Sequence, residues 1–165
     1  MNNQSDLLEY LATHAYQFNK EEQFLLASGK YSPEYLDCKL ALSRPGAMVA
    51  LGKVFLAMLD PSVVAIGGLT MGADPIAMSV CQASATGPRG IQWFTVRKEA
   101  KLHGKKKLIE GSVSAGERVT IVDDVVTSGK STIQAIEACR NADIDRKSTR
   151  LNSSHMVQSR MPSSA

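Results

Sequence analysis

The spacing of apolar and polar positions switches between helical and strand periods along most of this chain. Leu7, Leu8, Leu11 and Ala15 mark the buried face of a first helix, with Asp6 as its cap and Glu9 three residues on. Residues 24–37 form a hairpin-like segment. Ser43 and Pro45 can start a second helix, whose Met48, Val49, Leu51, Val54, Phe55, Met58 and Leu59 would cover a sheet. Next come a strand over 63–66, a helix over 73–83, a strand over 91–96, a basic loop, a strand over 118–122 and a helix over 130–139. No internal repeat interrupts this order. Strand, helix and strand repeated in this way predict an α/β fold: a parallel sheet flanked by helices, with ligand chemistry at the carboxyl ends of the strands.

One strand end carries the densest chemistry. Val119, Thr120, Ile121 and Val122 are four β-branched residues suited to a strand covered on both faces, and Asp123 and Asp124 follow at once. Val125, Val126, Thr127, Ser128, Gly129, Lys130 and Ser131 then lead into a helix with apolar positions at 133, 136 and 139. Backbone N–H groups from Thr127 to Ser131 would point outward at the helix start, where unpaired donors and the helix dipole favour an anion such as phosphate. Gly129-Lys130-Ser131 imitates the end of a Walker A loop. That motif needs a glycine five positions earlier, where this chain has Asp124, whose carboxylate would repel a triphosphate. Because side chains alternate along a strand, Asp123 and Asp124 should serve different partners, such as ribose hydroxyls and a magnesium-bound water. A polar strand end followed by an ordinary helix cap is the bland alternative.

Composition narrows the setting. The chain has 165 residues, enough for one domain with a real core, and its 44% apolar and 5% aromatic content suits an α/β fold packed with aliphatic side chains. No stretch approaches the roughly 20 apolar residues that span a membrane. The start, Met1 to Asp6, lacks the basic and apolar segments of a signal peptide. Cys38, Cys81 and Cys139 are odd in number and widely spaced, which argues against disulfides or zinc and for reduced, mostly buried thiols in a cytoplasmic protein. His14 on the first helix reads as a surface or packing residue.

Between the strand over 91–96 and the Asp123 strand, residues 97–107 hold six Lys or Arg and His103 against one acid, Glu99. Such a run is ordinarily a solvated face or a nucleic-acid patch. Its position after a strand end gives another possibility, a mobile cationic loop that closes over an anionic substrate.

The Asp-Asp, Thr-Ser-Gly-Lys-Ser stretch resembles the motif that binds 5-phosphoribosyl 1-diphosphate in type I phosphoribosyltransferases. Arg97-Lys98-Glu99-Ala100-Lys101-Leu102-His103-Gly104 resembles the catalytic loop of the orotate phosphoribosyltransferases within that group. Residues 24–37 resemble the family's N-terminal signature. Gly67-Gly68-Leu69-Thr70-Met71-Gly72-Ala73-Asp74-Pro75-Ile76-Ala77 resembles its loop facing the diphosphate.

The resemblance implies a type I phosphoribosyltransferase fold and transfer of ribose 5-phosphate to orotate, giving orotidine 5′-phosphate and diphosphate in pyrimidine biosynthesis. Lys101 is the implied main catalytic side chain, assisted by Arg97, Lys98 and His103. Asp123 and Asp124 would hold ribose hydroxyls and a metal-bound water, residues 125–131 would hold the donor, and Thr127 would also touch orotate. Mg2+ would be carried by the diphosphate, with no protein side chain as a direct ligand. A homodimer sharing the basic loop between subunits is implied, with neither nucleic acid nor membrane as a partner. Met71 and Ala27 replace lysines found in some members, and Lys30 or Lys39 are the nearby substitutes, each equally readable as a solvated lysine. A phosphoribosyltransferase-like regulator without catalysis, or an inactive fragment, are the competing readings.

The resemblance covers about residues 6–145. Residues 146–165 contain six serines, no acids and four of the chain's 19 Lys and Arg, leaving 15 basic residues against all 16 acids in residues 1–145. This tail has no regular period and resembles translated adapter read-through, so it is expected to be disordered and non-native. The family's domain continues into a further strand ending in Asp-Arg. Asp145-Arg146 comes too early to be that pair, so the C-terminal strands and the arginine for orotate are expected to be missing.

Overall fold

The computed structural model describes residues 3–26, 29–99 and 107–144. Helix α1 (Asn3–His14) leads into β1 (Tyr16–Phe18), β2 (Phe24–Leu25), β3 (Tyr31–Ser32) and β4 (Glu34–Leu36). Helices α2 (Cys38–Leu42) and α3 (Pro45–Met58) follow, then β5 (Ala65–Leu69), α4 (Asp74–Ser84), β6 (Gln92–Val96), β7 (Ile109–Gly111), β8 (Val119–Ile121) and α5 (Lys130–Asn141). The small strands pair antiparallel as β1 with β4 and β2 with β3, so within the expected 24–37 hairpin-like segment 24–25 pairs with 31–32, while 34–36 pairs with β1 instead.

The main sheet has the order β7-β6-β5-β8. β5 pairs parallel with both β6 and β8, as predicted, while β7 pairs antiparallel with β6. The sheet is therefore mixed. Sequence reading passed over β7 because three residues with one β-branched side chain, just after a lysine run, carry no measurable period.

Alternation along the strands sorts the core into two layers. Ile66 on β5 and Val122 just past β8 pack with Leu7, Leu11, Leu51, Phe55, Ile76 and Val80 from α1, α3 and α4. Ala65, Leu69, Phe94, Val96, Val119 and Ile121 face Ala135, Ala138 and Cys139 of α5. The sheet is thus covered on both faces, which is why its central strands are almost continuously apolar.

Several predicted boundaries move. α1 begins at Asn3, so Asp6 lies inside its first turn instead of capping it. Arg44 is the cap of α3, and Ser43 closes α2, a short helix that the sequence reading did not foresee. β5 extends through Gly67 and Gly68, which were assigned to a loop. Those glycines allow the strands to approach: an added Cβ would run into the carbonyl of Phe94 at Gly67 and that of Val122 at Gly68. Pro75 stands in the first turn of α4, as expected.

Candidate active site at the carboxyl end of the sheet

Side-chain alternation continues past the end of β8. Val122 points into the α1–α4 layer, Asp123 toward α5, and Asp124 toward α2. The two carboxylates therefore take different partners, as their adjacency on a strand predicts. Asp123 Oδ1 accepts from the Asp124 N–H at 3.1 Å, and its Oδ2 lies 3.4 Å from Thr132 Oγ1 on α5. Asp124 Oδ1 accepts from the Val125 N–H at 3.0 Å, and its Oδ2 pairs with Lys39 Nζ at 2.7 Å. Burial, reinforced by the charge of Asp124, pushes the Asp123 carboxyl pKa upward. The hydrogen bond to Asp124 raises that of the Lys39 ammonium.

Lys39 reaches the site because α2 is anchored beside it. The cap residue Asp37 accepts from the Lys39 N–H at 3.1 Å, while Cys38, Ala41 and Leu42 bury the other side of the helix. Cys38 Sγ also donates to the main-chain oxygen of Asp124 at 3.6 Å. Its thiol is pushed up to about 11, first by desolvation and then by the Asp124 charge. Lys39 was only a weak suggestion of the sequence. It stood there only as a nearby substitute for the lysines that Met71 and Ala27 replace, equally readable as a solvated lysine.

The loop between β5 and α4 forms a second wall. Gly72 lies so close that an added Cβ would collide with Asp124 Oδ1 and stand 2.9 Å from Asp123 Oδ1. Thr70 Oγ1 donates to Asp74 Oδ2 at 2.7 Å, and Asp74 Oδ1 is a buried oxygen with no hydrogen-bond partner. Met71 is exposed. The diphosphate-facing loop named from the sequence and the Asp-Asp strand end are therefore neighbours.

A third element is the start of α5, at Lys130 as predicted. Gly129 occupies the cap position in the left-handed region with φ 75°, and no side chain caps the helix. The cap residue itself therefore offers no side chain to the first-turn N–H groups, which leaves donors there for an anion. Val125, Val126, Thr127 and Ser128 are exposed along the approach, and the Lys130 N–H reaches Ser128 Oγ at 3.4 Å.

β6 and β7, which flank the basic run in sequence, pair antiparallel. At the root of that run the Arg97 N–H donates to the Leu108 carbonyl at 2.8 Å. Arg97 Nη1 stands 3.9 Å from Glu110 Oε1, so this guanidinium is turned to β7 and makes no contact with the acidic pair. Lys98 is exposed, and its carbonyl accepts from Gln134 Nε2 of α5 at 3.1 Å. Lys101 and His103 lie outside the described residues, as do Ala27, Ser28 and the 145–165 segment. Among the described residues, no three His, Cys, Asp or Glu side chains gather in a way that could hold a metal, and no helix is long and apolar enough to cross a membrane.

An acid pair, an open helix start and the root of a basic hairpin thus share one end of the sheet. Over 137 residues the chain is 44% identical to the orotate phosphoribosyltransferase of Synechocystis, a match covering 82% of this chain and 68% of the relative. The chain belongs to the orotate phosphoribosyltransferase family. Solved orotate phosphoribosyltransferases have the same architecture. The Mycobacterium tuberculosis enzyme in complex with Fe(III) dicitrate superposes with a TM-score of 0.73 at 32% identity, covering 86% of this chain and 78% of that one. The same enzyme in complex with 5-phospho-alpha-D-ribosyl 1-diphosphate gives 0.69 at 28% identity, covering 87% and 77%. No family model matches the chain. The chain spans about two thirds of the length of its curated orotate phosphoribosyltransferase relatives, from 65% to 72%.

Proposed function

We propose that this chain transfers ribose 5-phosphate from 5-phosphoribosyl 1-diphosphate to N1 of orotate, releasing diphosphate and orotidine 5′-phosphate. The observation that carries this reading is the pair Asp123 and Asp124 beside the uncapped start of α5, with Gly72 packed against both carboxylates. A 5-phosphate fits the N–H groups of Thr127 to Ser131, and the acidic pair fits the ribose hydroxyls next to it. By the resemblance of this loop, Thr127 would also touch orotate. Residues 1–145 act as the phosphoribosyltransferase domain and 146–165 as an added tail.

Breaking the C1–O bond of the donor builds positive charge on the ribose and negative charge on the departing diphosphate. Lys101, with Lys98, Arg97 and His103, supplies cations where the negative charge grows, which lowers the barrier by electrostatic preorganisation. For Arg97 this requires release from Glu110 when the loop closes. Closure also excludes water from the cation-like centre. Mg2+ would be carried by the donor, and Asp124, already paired to Lys39, would meet it only through a water. When bound, that ion would neutralise charge on the diphosphate. A cytoplasmic homodimer with the basic loop shared across subunits completes the reading.

The test is to mix the full chain with orotate, Mg2+ and 5-phosphoribosyl 1-diphosphate and follow orotate absorbance. Loss of absorbance with formation of orotidine 5′-phosphate is expected. Tight donor binding by soluble protein without turnover would overturn the enzyme reading in favour of a regulatory binding protein.

A further inference from the structure

Lys39 belongs to none of the motifs that carry the family resemblance, yet it makes the shortest charged contact in the site. Its ammonium sits 2.7 Å from Asp124 Oδ2, and the side chains are 53% and 12% exposed respectively. The carboxylate is thus inside and the cation at the rim. The contact is built from three directions. Asp37 fixes the Lys39 backbone, the adjacent Cys38 holds the Asp124 main-chain oxygen, and the Val125 N–H fixes the other carboxylate oxygen. Neighbouring residues of α2 therefore grip both the backbone and the side chain of Asp124.

Two adjacent carboxylates repel a polyanion unless they are compensated and held still. Among the described residues, Lys39 is the lysine or arginine whose side chain pairs with either of them; Arg97 pairs with Glu110 and Arg118 with Asp60. The positions occupied by Met71 and Ala27 provide no cation. We propose that Lys39 is a positioning residue for the sugar-diphosphate donor: it fixes the orientation of the Asp124 carboxylate and offsets its charge, so that the donor can approach the acidic pair. This inference rests on the proposed phosphoribosyl transfer and assigns the residue that prepares that site.

The experiment uses the full chain and titrates 5-phosphoribosyl 1-diphosphate with Mg2+, and separately inorganic diphosphate with Mg2+, by calorimetry, alongside steady-state kinetics. Lys39→Met should weaken donor binding and raise the donor KM by tenfold or more, with kcat changed less than threefold. Lys39→Arg should restore the donor KM to within about threefold. In an Asp124→Asn background, adding Lys39→Met should change donor affinity by less than twofold, because the lysine acts through that carboxylate. Equal donor binding by wild type and Lys39→Met would overturn the role of Lys39 while leaving the proposed function standing. A full additional loss in the Asp124→Asn background would also overturn it, by showing that Lys39 acts on the donor directly. Failure of wild type to bind either ligand would overturn the proposed function and this inference together.

Discussion

Gln134 Nε2 donates to the main-chain carbonyl of Lys98 at 3.1 Å, tying α5 to the root of the basic hairpin. α5 also provides the helix start proposed to hold the 5-phosphate and the Thr132 contact to Asp123. One helix thereby links the donor loop with the loop proposed to close over it. A single exposed hydrogen bond contributes about 0.5–1.5 kcal/mol, so Gln134→Ala should lower kcat/KM by roughly two- to tenfold and lower the melting temperature by no more than about a few degrees. Faster hydrogen exchange at residues 97–99 should accompany the loss. Unaltered exchange and kinetics would remove Gln134 from this linkage.

Gly72 has no side chain because the two carboxylates occupy that space. Gly72→Ala must displace Asp123, Asp124 or the loop itself. Overpacking of this kind costs typically about 1–3 kcal/mol, and the strain falls on the carboxylates. Donor affinity should drop by roughly tenfold or more while circular dichroism stays native. A Gly72→Ala protein that binds the donor as wild type does would show that the wall has slack.

The sequence made the Asp123–Asp124 strand end legible because four β-branched residues, two acids and a hydroxyl-rich turn occur without interruption. Its geometry followed from strand alternation alone. Lys39 and Gly72 were harder to read. Lys39 meets Asp124 across a sequence separation of 85, and nothing local distinguishes it from a solvated lysine. Gly72 was legible as part of a glycine-rich turn, but its contact with both acids depends on the packing of β5 against β8. The hairpin return through β7 was missed because its short strand is defined by pairing to β6, not by its own composition. Long-range packing is where local pattern stops being informative.

Lys101 is assigned to the departing diphosphate on the strength of the loop pattern. Removing one preorganised charge donor typically costs about 10²–10³ in rate, and Lys101→Ala should lower kcat on that scale. Donor affinity measured without orotate should fall much less, because the assigned charge develops mainly as the bond breaks. An unchanged kcat would take Lys101 out of the chemistry.

Cys38 is buried against Asp124 with its thiol held at about 11, so little reactive thiolate exists at pH 8. Cys139 is also buried, whereas Cys81 is partly accessible. Iodoacetamide on the native chain should label Cys81 first. Labelling of Cys38 should require denaturant, as read by mass spectrometry of the digested protein. Rapid native labelling of Cys38 would mean that the α2 contact with Asp124 opens readily.

Asp123 gives the pH dependence a definite sign. Burial and the neighbouring Asp124 charge raise its folded-state pKa, so the folded chain binds that proton more tightly than the unfolded chain does. Its ionised form therefore weakens the fold. The penalty is complete above the folded pKa and fades as pH falls through that value toward the unfolded one, about 3.9. Asp123→Asn removes the charge while keeping an acceptor for the Asp124 N–H. At neutral pH the variant should melt at a higher temperature than wild type, and the difference should shrink toward pH 4. Turnover should be lost at every pH, the stability–activity trade-off expected of a carboxylate kept for chemistry. A variant less stable than wild type at neutral pH would show that the bonds of Asp123 outweigh the cost of burying its charge.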